Sequence, residues 1–157
     1  MIGFSSGCCV NSGNTNTIIG FNAYQNGTFS TSNTVVGALS GRNACGSQNV
    51  FVGSESGCNS LSSNNTFIGW RSGSTLVTGD RNTFVGSLTT GTGSNSIVLG
   101  VCAQSTASNQ LVIGSSVYPV GPIQTGTFSF GSLGVGSNVT YLNARINGSS
   151  YKIAISI

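Results

Sequence analysis

Charged side chains are scarce in this sequence. Lys, Arg, Asp and Glu make up 4% of the residues, against about 25% in a typical globular domain. The formal net charge of +3 comes from five basic residues that are scattered along the chain. Because nucleic-acid binding uses several phosphate contacts at once, we expect no nucleic-acid partner.

Groups for catalysis and for binding metal ions are scarce as well. The chain has no His, which excludes a Ser-His-Asp relay and a Cys-His pair. Its only carboxylates, Glu55 and Asp80, lie in different repeats, whereas acid–base and glycoside chemistry usually need a close pair. We therefore predict no catalytic residue, no enzyme activity and no cofactor.

The cysteines give no metal-binding spacing. A zinc site without His would need four thiolates, and no Cys-x-x-Cys motif occurs. We predict no metal site and interpret the cysteines as small buried thiols: Cys8, Cys9, Cys45, Cys58 and Cys102.

Long apolar runs are also missing. No window approaches the roughly 18 apolar residues that span a bilayer, so we expect no membrane insertion. Residues 1–4 have neither the charged nor the apolar region of a secretory signal. We expect either a protein that folds in the cytoplasm and leaves in a particle or the mature portion of a longer protein.

What the sequence does contain is a repeated phrase, Asn-Thr-apolar-apolar-Gly. Successive glycines of this phrase are separated by 14 to 17 residues, and they are Gly3, Gly20, Gly37, Gly53, Gly69, Gly86, Gly100 and Gly114. Disordered chains lack such regularly placed β-branched and aromatic residues. The repeat therefore predicts an ordered array.

The repeat length and composition favour stacked β-coils. Val, Ile, Phe and Thr suit a half-buried strand, and the glycine suits the turn that follows it. Units this short leave no room for a βαβ crossover. The predicted fold is all-β, a stacked parallel β-coil (a β-roll or β-helix), with Gly20, Gly37, Gly53, Gly69, Gly86, Gly100 and Gly114 as turn glycines.

Stacking turns repeat positions into columns. Two residues before each glycine lies what we name the phenylalanine column: Ile18, Val35, Phe51, Phe67, Phe84, Val98 and Val112. One residue before it lies the valine column: Ile19, Val36, Val52, Ile68, Val85, Leu99 and Ile113. Three residues after it we expect a tight interior column of small residues, and the phrase asparagines are expected to form an amide ladder.

Both residues before each glycine are apolar, although neighbours in a strand point to opposite faces. One column fills the coil interior, and the other points outward, where a long apolar stripe is an aggregation liability. We predict that identical chains pack this stripe together. Closed symmetric oligomers are the default, and a homotrimer, intertwined or side by side, is our preferred form; the repeat alone does not choose between two and three chains.

The repeats resemble those of known fibres. The 14-residue units that end at Gly100 and Gly114 are similar to head repeats of trimeric autotransporter adhesins. The Asn-Thr-Phe-Val-Gly units resemble repetitive shafts of bacteriophage tail fibres. The resemblance covers residues 1–114 and implies trimers and host attachment. No anchor barrel, coiled-coil stalk or self-cleaving chaperone domain is recognised, which departs from both families.

The end of the chain differs from the repeats. Both prolines, Pro119 and Pro122, favour a boundary, so we divide the chain into a shaft (1–114) and a C-terminal β cap or tip (115–157). A strand is predicted at 127–131. Asn147-Gly148 predicts a two-residue hairpin turn between strands at 139–146 and 149–157, with Leu142 opposite Ile153. Its other face carries the candidate tip contacts Asn143, Arg145 and Lys152.

Together these features predict a non-catalytic structural fibre segment, extracellular or on a virion surface, whose tip binds a host surface glycan or protein. The alternatives are a filament or spacer subunit without a receptor and a polysaccharide-degrading tailspike. An ice-binding solenoid is a weaker rival, since its threonine column (Thr17, Thr34, Thr66, Thr83) is single and interrupted by Val50, Ser96 and Gln110.

Overall fold

The computed structural model of the chain describes residues 1–8, 13–28, 30–75, 78–118, 140–146 and 149–155. All regular structure in these ranges is β, without a helix. The strands are β1 (Thr17–Ile19), β2 (Thr34–Val36), β3 (Val50–Val52), β4 (Thr66–Ile68), β5 (Thr83–Val85), β6 (Thr90–Gly91), β7 (Ile97–Leu99), β8 (Gln104–Ser105), β9 (Leu111–Ile113), β10 (Thr140–Ile146) and β11 (Ser149–Ile155).

The repeats stack as a parallel β-solenoid. Strands β1, β2, β3, β4, β5, β7 and β9 follow one another in a single sheet, each parallel to the next. Residues at the same distance from their glycine lie side by side, as in the pair Phe51↔Phe67 and the pair Phe84↔Val98. This is the register that the glycine spacing predicts. A second, short parallel sheet joins β6 to β8.

Each three-residue strand has its central residue inside. In β2 and β3 the middle residue is buried and both neighbours are half-buried, as the two-residue side-chain period requires. The whole phenylalanine column is therefore interior, from Ile18 to Val112, with exposures of 2% or less. Phe51 stacks on Phe67 with ring centroids 5.4 Å apart, and Phe67 stacks on Phe84 at 4.9 Å.

Small side chains line the opposite interior wall. The position three residues after the phrase glycine is fully buried from Gly20 to Gly100: Ala23, Ser40, Ser56, Ser72, Thr89 and Ala103. Its hydroxyls are satisfied locally, since Ser56 Oγ donates to the Phe67 carbonyl at 3.0 Å. The tight interior predicted for this column is confirmed.

The turns depend on backbone conformations that glycine adopts without strain. Gly53 and Gly69 both have φ of 130°, and a Cβ on either would lie 2.5 Å from the carbonyl oxygen of the next phrase glycine. This close approach of successive coils, together with the positive φ, makes any side chain at these positions costly.

An asparagine ladder ties the coils together ahead of the strands. The Oδ1 of Asn16, Asn33, Asn49 and Asn65 each accepts from the backbone N–H of the next ladder asparagine at 2.9 Å. Asn82 Oδ1 accepts from the Ser96 N–H in the same way. The predicted ladder is present, but its main bond runs from side chain to backbone rather than between amides.

The sheet continues into the C-terminal strands. β10 is parallel to β9, with Arg145 beside Val112, and β11 is antiparallel to β10, with Leu142 opposite Ile153. The predicted turn at Asn147-Gly148, the predicted strand at 127–131, both prolines and Cys9 lie outside the described residues.

Candidate interaction surface

The outward side of the strands forms an apolar surface. The valine column points away from the core: Ile19, Ile68 and Val85 expose 37%, 39% and 37% of their surface, and Val36, Val52, Leu99 and Ile113 are half-buried. Hence, of the two apolar columns that the sequence identifies, the phenylalanine column fills the core and the valine column faces out.

A second column shares this side. The residue that opens each strand points the same way as the one that closes it. We name these residues the threonine column: Thr17, Thr34, Val50, Thr66, Thr83, Ile97 and Leu111. The sequence pattern predicts Ser96 and Gln110 in this column after Thr83, and that prediction is wrong. In the structure Ile97 lies beside Thr83, and Leu111 lies beside Ile97. The two columns together are called the outer face.

Large side chains border the outer face just beyond the glycines. We name the residues that follow the glycines from Gly3 to Gly100 the tryptophan column: Phe4, Phe21, Ala38, Ser54, Trp70, Ser87 and Val101. Phe4 and Phe21 stack at 5.7 Å between ring centroids. Trp70 exposes 47% of its surface and stands between two serines in the stack. Sequence reasoning missed this column, although its residues share the same distance from the glycine.

The charges beside this surface neutralise each other. Glu55 and Arg71 lie two residues after consecutive phrase glycines, and Arg71 Nε donates to Glu55 Oε2 at 2.8 Å. This ion pair joins two neighbouring coils. The Arg71 guanidinium also lies over the Trp70 ring, 5.1 Å from its centroid, a distance at which a cation attracts an aromatic face.

Other parts of the coil surface are polar. Asn26, Asn43 and Asn59 form an exposed ladder with amide bonds of 3.1 Å and 3.0 Å. Arg81 donates to Asn95 Oδ1 at 2.8 Å, and Asp80 Oδ1 accepts from the Ser63 N–H at 2.9 Å. The solenoid surface therefore carries polar ladders in addition to the outer face.

The candidate tip contacts lie on the last two strands. Asn143 is paired with Lys152 in the antiparallel register, and Arg145 with Ser150. The backbone register therefore brings these three residues close together along the β10–β11 pair. Their side chains lie outside the described residues, so their role in contacts stays a prediction.

Pockets and thiols offer little chemistry in the described ranges. One cavity of about 150 Å³ lies at the β9 end of the stack, beside Cys102 and Val112. Within the described residues no three of His, Cys, Asp and Glu cluster as metal ligands would. Cys58 is buried, Cys45 and Cys102 are half-buried and Cys8 is exposed, so the expectation of buried thiols is right for Cys58 and wrong for Cys8.

Burial raises the pKa of the Tyr24 phenol above its ordinary value of 10.0, and a Coulombic contribution from Cys45 adds to this, while a hydrogen bond with Ser30 opposes it. This group lies in the core and away from the outer face.

In the part of the chain that the structure describes, no helix is both long and apolar enough to cross a membrane.

Comparisons with known proteins were negative. No protein-family model matches this chain. No curated protein matches it significantly.

Proposed function

We propose that this chain is a non-catalytic structural fibre segment that packs its outer face against identical chains in a homotrimer. Its place is extracellular or on a virion surface, where the tip attaches to a host surface glycan or protein. The single observation that carries this proposal is the outer face, on which the exposed apolar valine column runs beside the threonine column, bordered by exposed aromatic residues.

The size of the effect indicates how much surface must be covered. Burying a Val or Ile completely contributes roughly 1.5–3 kcal/mol, so covering the third that Ile19 or Ile68 still exposes contributes about 0.5–1 kcal/mol. Over the valine column this amounts to about 5 kcal/mol per chain, near the lower limit of the 4–15 kcal/mol cost of association. We therefore expect the threonine column of the outer face to take part.

Periodicity favours an identical chain as the partner. The outer face repeats with the spacing of stacked strands, about 4.8 Å per coil. A surface that complements such ridges along the whole stack must have the same spacing, and a second copy of this solenoid has it. The neutral Glu55–Arg71 pair adds no net charge that would repel that copy.

A non-catalytic role is consistent with the engaged carboxylates. Glu55 is paired with Arg71, and Asp80 accepts the Ser63 N–H. Each carboxylate thus has a structural partner in a neighbouring coil.

We further propose that β10 and β11 form the cap of the shaft, since β10 lies beside the last shaft strand and an uncapped edge invites further pairing.

Mass measurement tests the trimer. Native mass spectrometry is expected to give about 47 kDa, three times the chain mass of 15.8 kDa. Replacing Ile68 and Val85 by Thr keeps strand propensity but removes apolar surface, so the I68T/V85T variant is expected to dissociate at least tenfold more readily. Leu61→Thr is the matched control, because Leu61 is 53% exposed and lies outside the strands.

A wild-type chain that stays monomeric at micromolar concentration would contradict the proposed homotrimer.

Attachment to a host surface is tested separately, on the intact oligomer, with a glycan array. Binding that Arg145→Ala and Lys152→Ala weaken supports a receptor-binding tip. Oligomers that bind no surface glycan or protein would leave the fibre as a spacer or filament subunit.

A further inference from the structure

A repetitive outer face leaves the axial register between chains undetermined. Its valine column contains only Ile, Val and Leu, and the shape of one coil is close to that of the next. Two such faces that slide past each other by one coil, about 4.8 Å, regain most of their apolar contacts. Slipped pairs are a hazard, because a staggered contact does not close and propagates into filaments.

One coil breaks this uniformity. Trp70 is the only tryptophan of the chain, and in the tryptophan column it stands between Ser54 and Ser87, whose side chains are small. With 47% of its surface exposed, the indole forms a single protrusion in that part of the column. A partner surface accommodates such a protrusion at one height and is obstructed or leaves a void at the others.

The indole also lies beside a pair of charged side chains. Arg71 lies 5.1 Å from the ring centroid and donates to Glu55 Oε2 at 2.8 Å. In the column of these two charged residues the neighbours are Leu39 and Leu88. A slip by one coil would therefore bring one charge of this pair, Arg71 or Glu55, to the height of a leucine of the other chain, where burial of a charge costs desolvation.

We propose that Trp70, held by the Arg71–Glu55 pair, fixes the axial register in which identical chains pack. This inference rests on the proposed self-association and adds to it the residue that specifies how the copies align. It is the solenoid counterpart of a single unusual core residue that sets register in a coiled coil. Affinity then comes from the outer face, and specificity from this one coil.

Photo-crosslinking tests the register directly. p-Benzoylphenylalanine replaces Val85 on the outer face, and ¹⁴N- and ¹⁵N-labelled chains are mixed so that mass spectrometry identifies crosslinks between chains. The otherwise wild-type chain is expected to give one set of partner residues. In the Trp70→Ser background, crosslinks are expected to spread to sets displaced by whole repeats of 14 to 17 residues, while the oligomer mass stays unchanged.

The matched control is Val101→Ser, which removes an exposed side chain from the same column and is expected to keep one register. Serine is tolerated in this column at Ser54 and Ser87, so both variants should fold. A single register in Trp70→Ser overturns the inference and leaves the interface intact. Dissociation of Trp70→Ser into monomers also overturns it, since Trp70 would then supply affinity. A monomeric wild-type chain overturns interface and register together.

Discussion

At the scale of single residues, Tyr24 occupies a position that glycine holds in the next three coils. Four residues after the phrase glycine, Tyr24 has φ of 53°, and Gly41, Gly57 and Gly73 have φ near 62°. A Cβ at Gly57 would lie 2.4 Å from the Phe51 ring. In the Tyr24 coil the core residue is the smaller Ile18, and the Tyr24 ring is buried in the core.

This exchange explains why a bulky residue tolerates a left-handed backbone. The conformation costs roughly 1–2 kcal/mol, and burial of an aromatic side chain contributes more than that. The Tyr24 hydroxyl is hydrogen-bonded to Ser30 Oγ and accepts from Asn33 Nδ2. In this one coil the core thus receives an aromatic ring from the turn instead of from the strand.

Stability at alkaline pH reports on Tyr24. Because burial raises the pKa of its phenol above 10.0, the native state keeps the proton at a pH where the unfolded state has released it. This contribution to stability is complete below pH 10 and is lost as pH rises through the native pKa. Urea unfolding from pH 7 to 11.5 is expected to show a decline above pH 10 that Tyr24→Phe reduces.

Two further measurements make the test specific. At pH 7 Tyr24→Phe is expected to lower the free energy of unfolding by about 1 kcal/mol, the value of the lost hydroxyl hydrogen bonds. The control is Tyr118→Phe at an exposed position, which should follow the wild-type profile. An identical alkaline decline in wild type and Tyr24→Phe would refute this assignment.

At the scale of elements, the buried asparagine ladder is a side-chain connection that runs from coil to coil beside the backbone hydrogen bonds. Asn49 accepts from the Asn65 N–H through Oδ1 at 2.9 Å and donates through Nδ2 to the Ser62 carbonyl at 3.0 Å. The side chain is 1% exposed. Both partners belong to the following coil, so one amide connects two successive coils in the interior.

Removing one amide from the buried ladder is expected to lower the free energy of unfolding much more than removing one from the exposed ladder. Asn49→Ala leaves the Asn65 N–H and the Ser62 carbonyl without that partner, at about 1–3 kcal/mol for each unsatisfied group. We expect a loss of about 2–5 kcal/mol in the free energy of unfolding, measured in urea at fixed chain concentration. Equal effects for an interior and an exterior ladder would contradict this view.

The exterior comparison is Asn43→Gly. Asn43 has φ of 58° and bonds Asn26 and Asn59 in the exposed ladder. Glycine keeps that backbone conformation without strain, so the variant removes the amide alone. Water replaces the lost bonds at this exposed site, and the expected cost is under about 1 kcal/mol.

The sequence predicted how the strands stack. It predicted only in part which side chains of those strands point inward. Glycine spacing is a backbone property, so it predicted the register of Phe51 beside Phe67. Alternation predicted opposite faces for the two apolar columns but did not say which one is interior. That choice depends on the glycines at 57 and 73, which leave room for the Phe51 and Phe67 rings, a relation between distant positions of the coil. Tyr24 and Trp70 escaped notice because each departs from the residue type of its column.

At the scale of the whole molecule, the shaft is a sheet whose last shaft strand is covered by β10. Parallel strands stacked in register leave unpaired N–H and C=O groups at an open end. The β10 residues 144–146 lie beside β9 residues 111–113, where a following coil would otherwise continue the stack. In the proposed fibre this arrangement limits the length of the shaft to its own repeats.

Truncation after residue 118 tests the cap. Without β10 and β11, the exposed edge of β9 is expected to pair with other molecules, and light scattering and electron microscopy should detect large or elongated assemblies. Simple unfolding would also produce aggregates, so a second variant separates the two causes. Leu111→Lys and Ile113→Lys place charges on the outward positions of β9, and charged edge residues oppose strand pairing.

If growth at the edge is the cause, the truncated chain with both lysines stays discrete and retains its β-sheet circular dichroism spectrum. Full-length protein with the same two lysines is the matched control for any effect on packing of the outer face. A truncated chain that remains as discrete as the full-length protein would show that β10 does not limit growth, because the same unpaired groups of β9 would then be exposed without consequence.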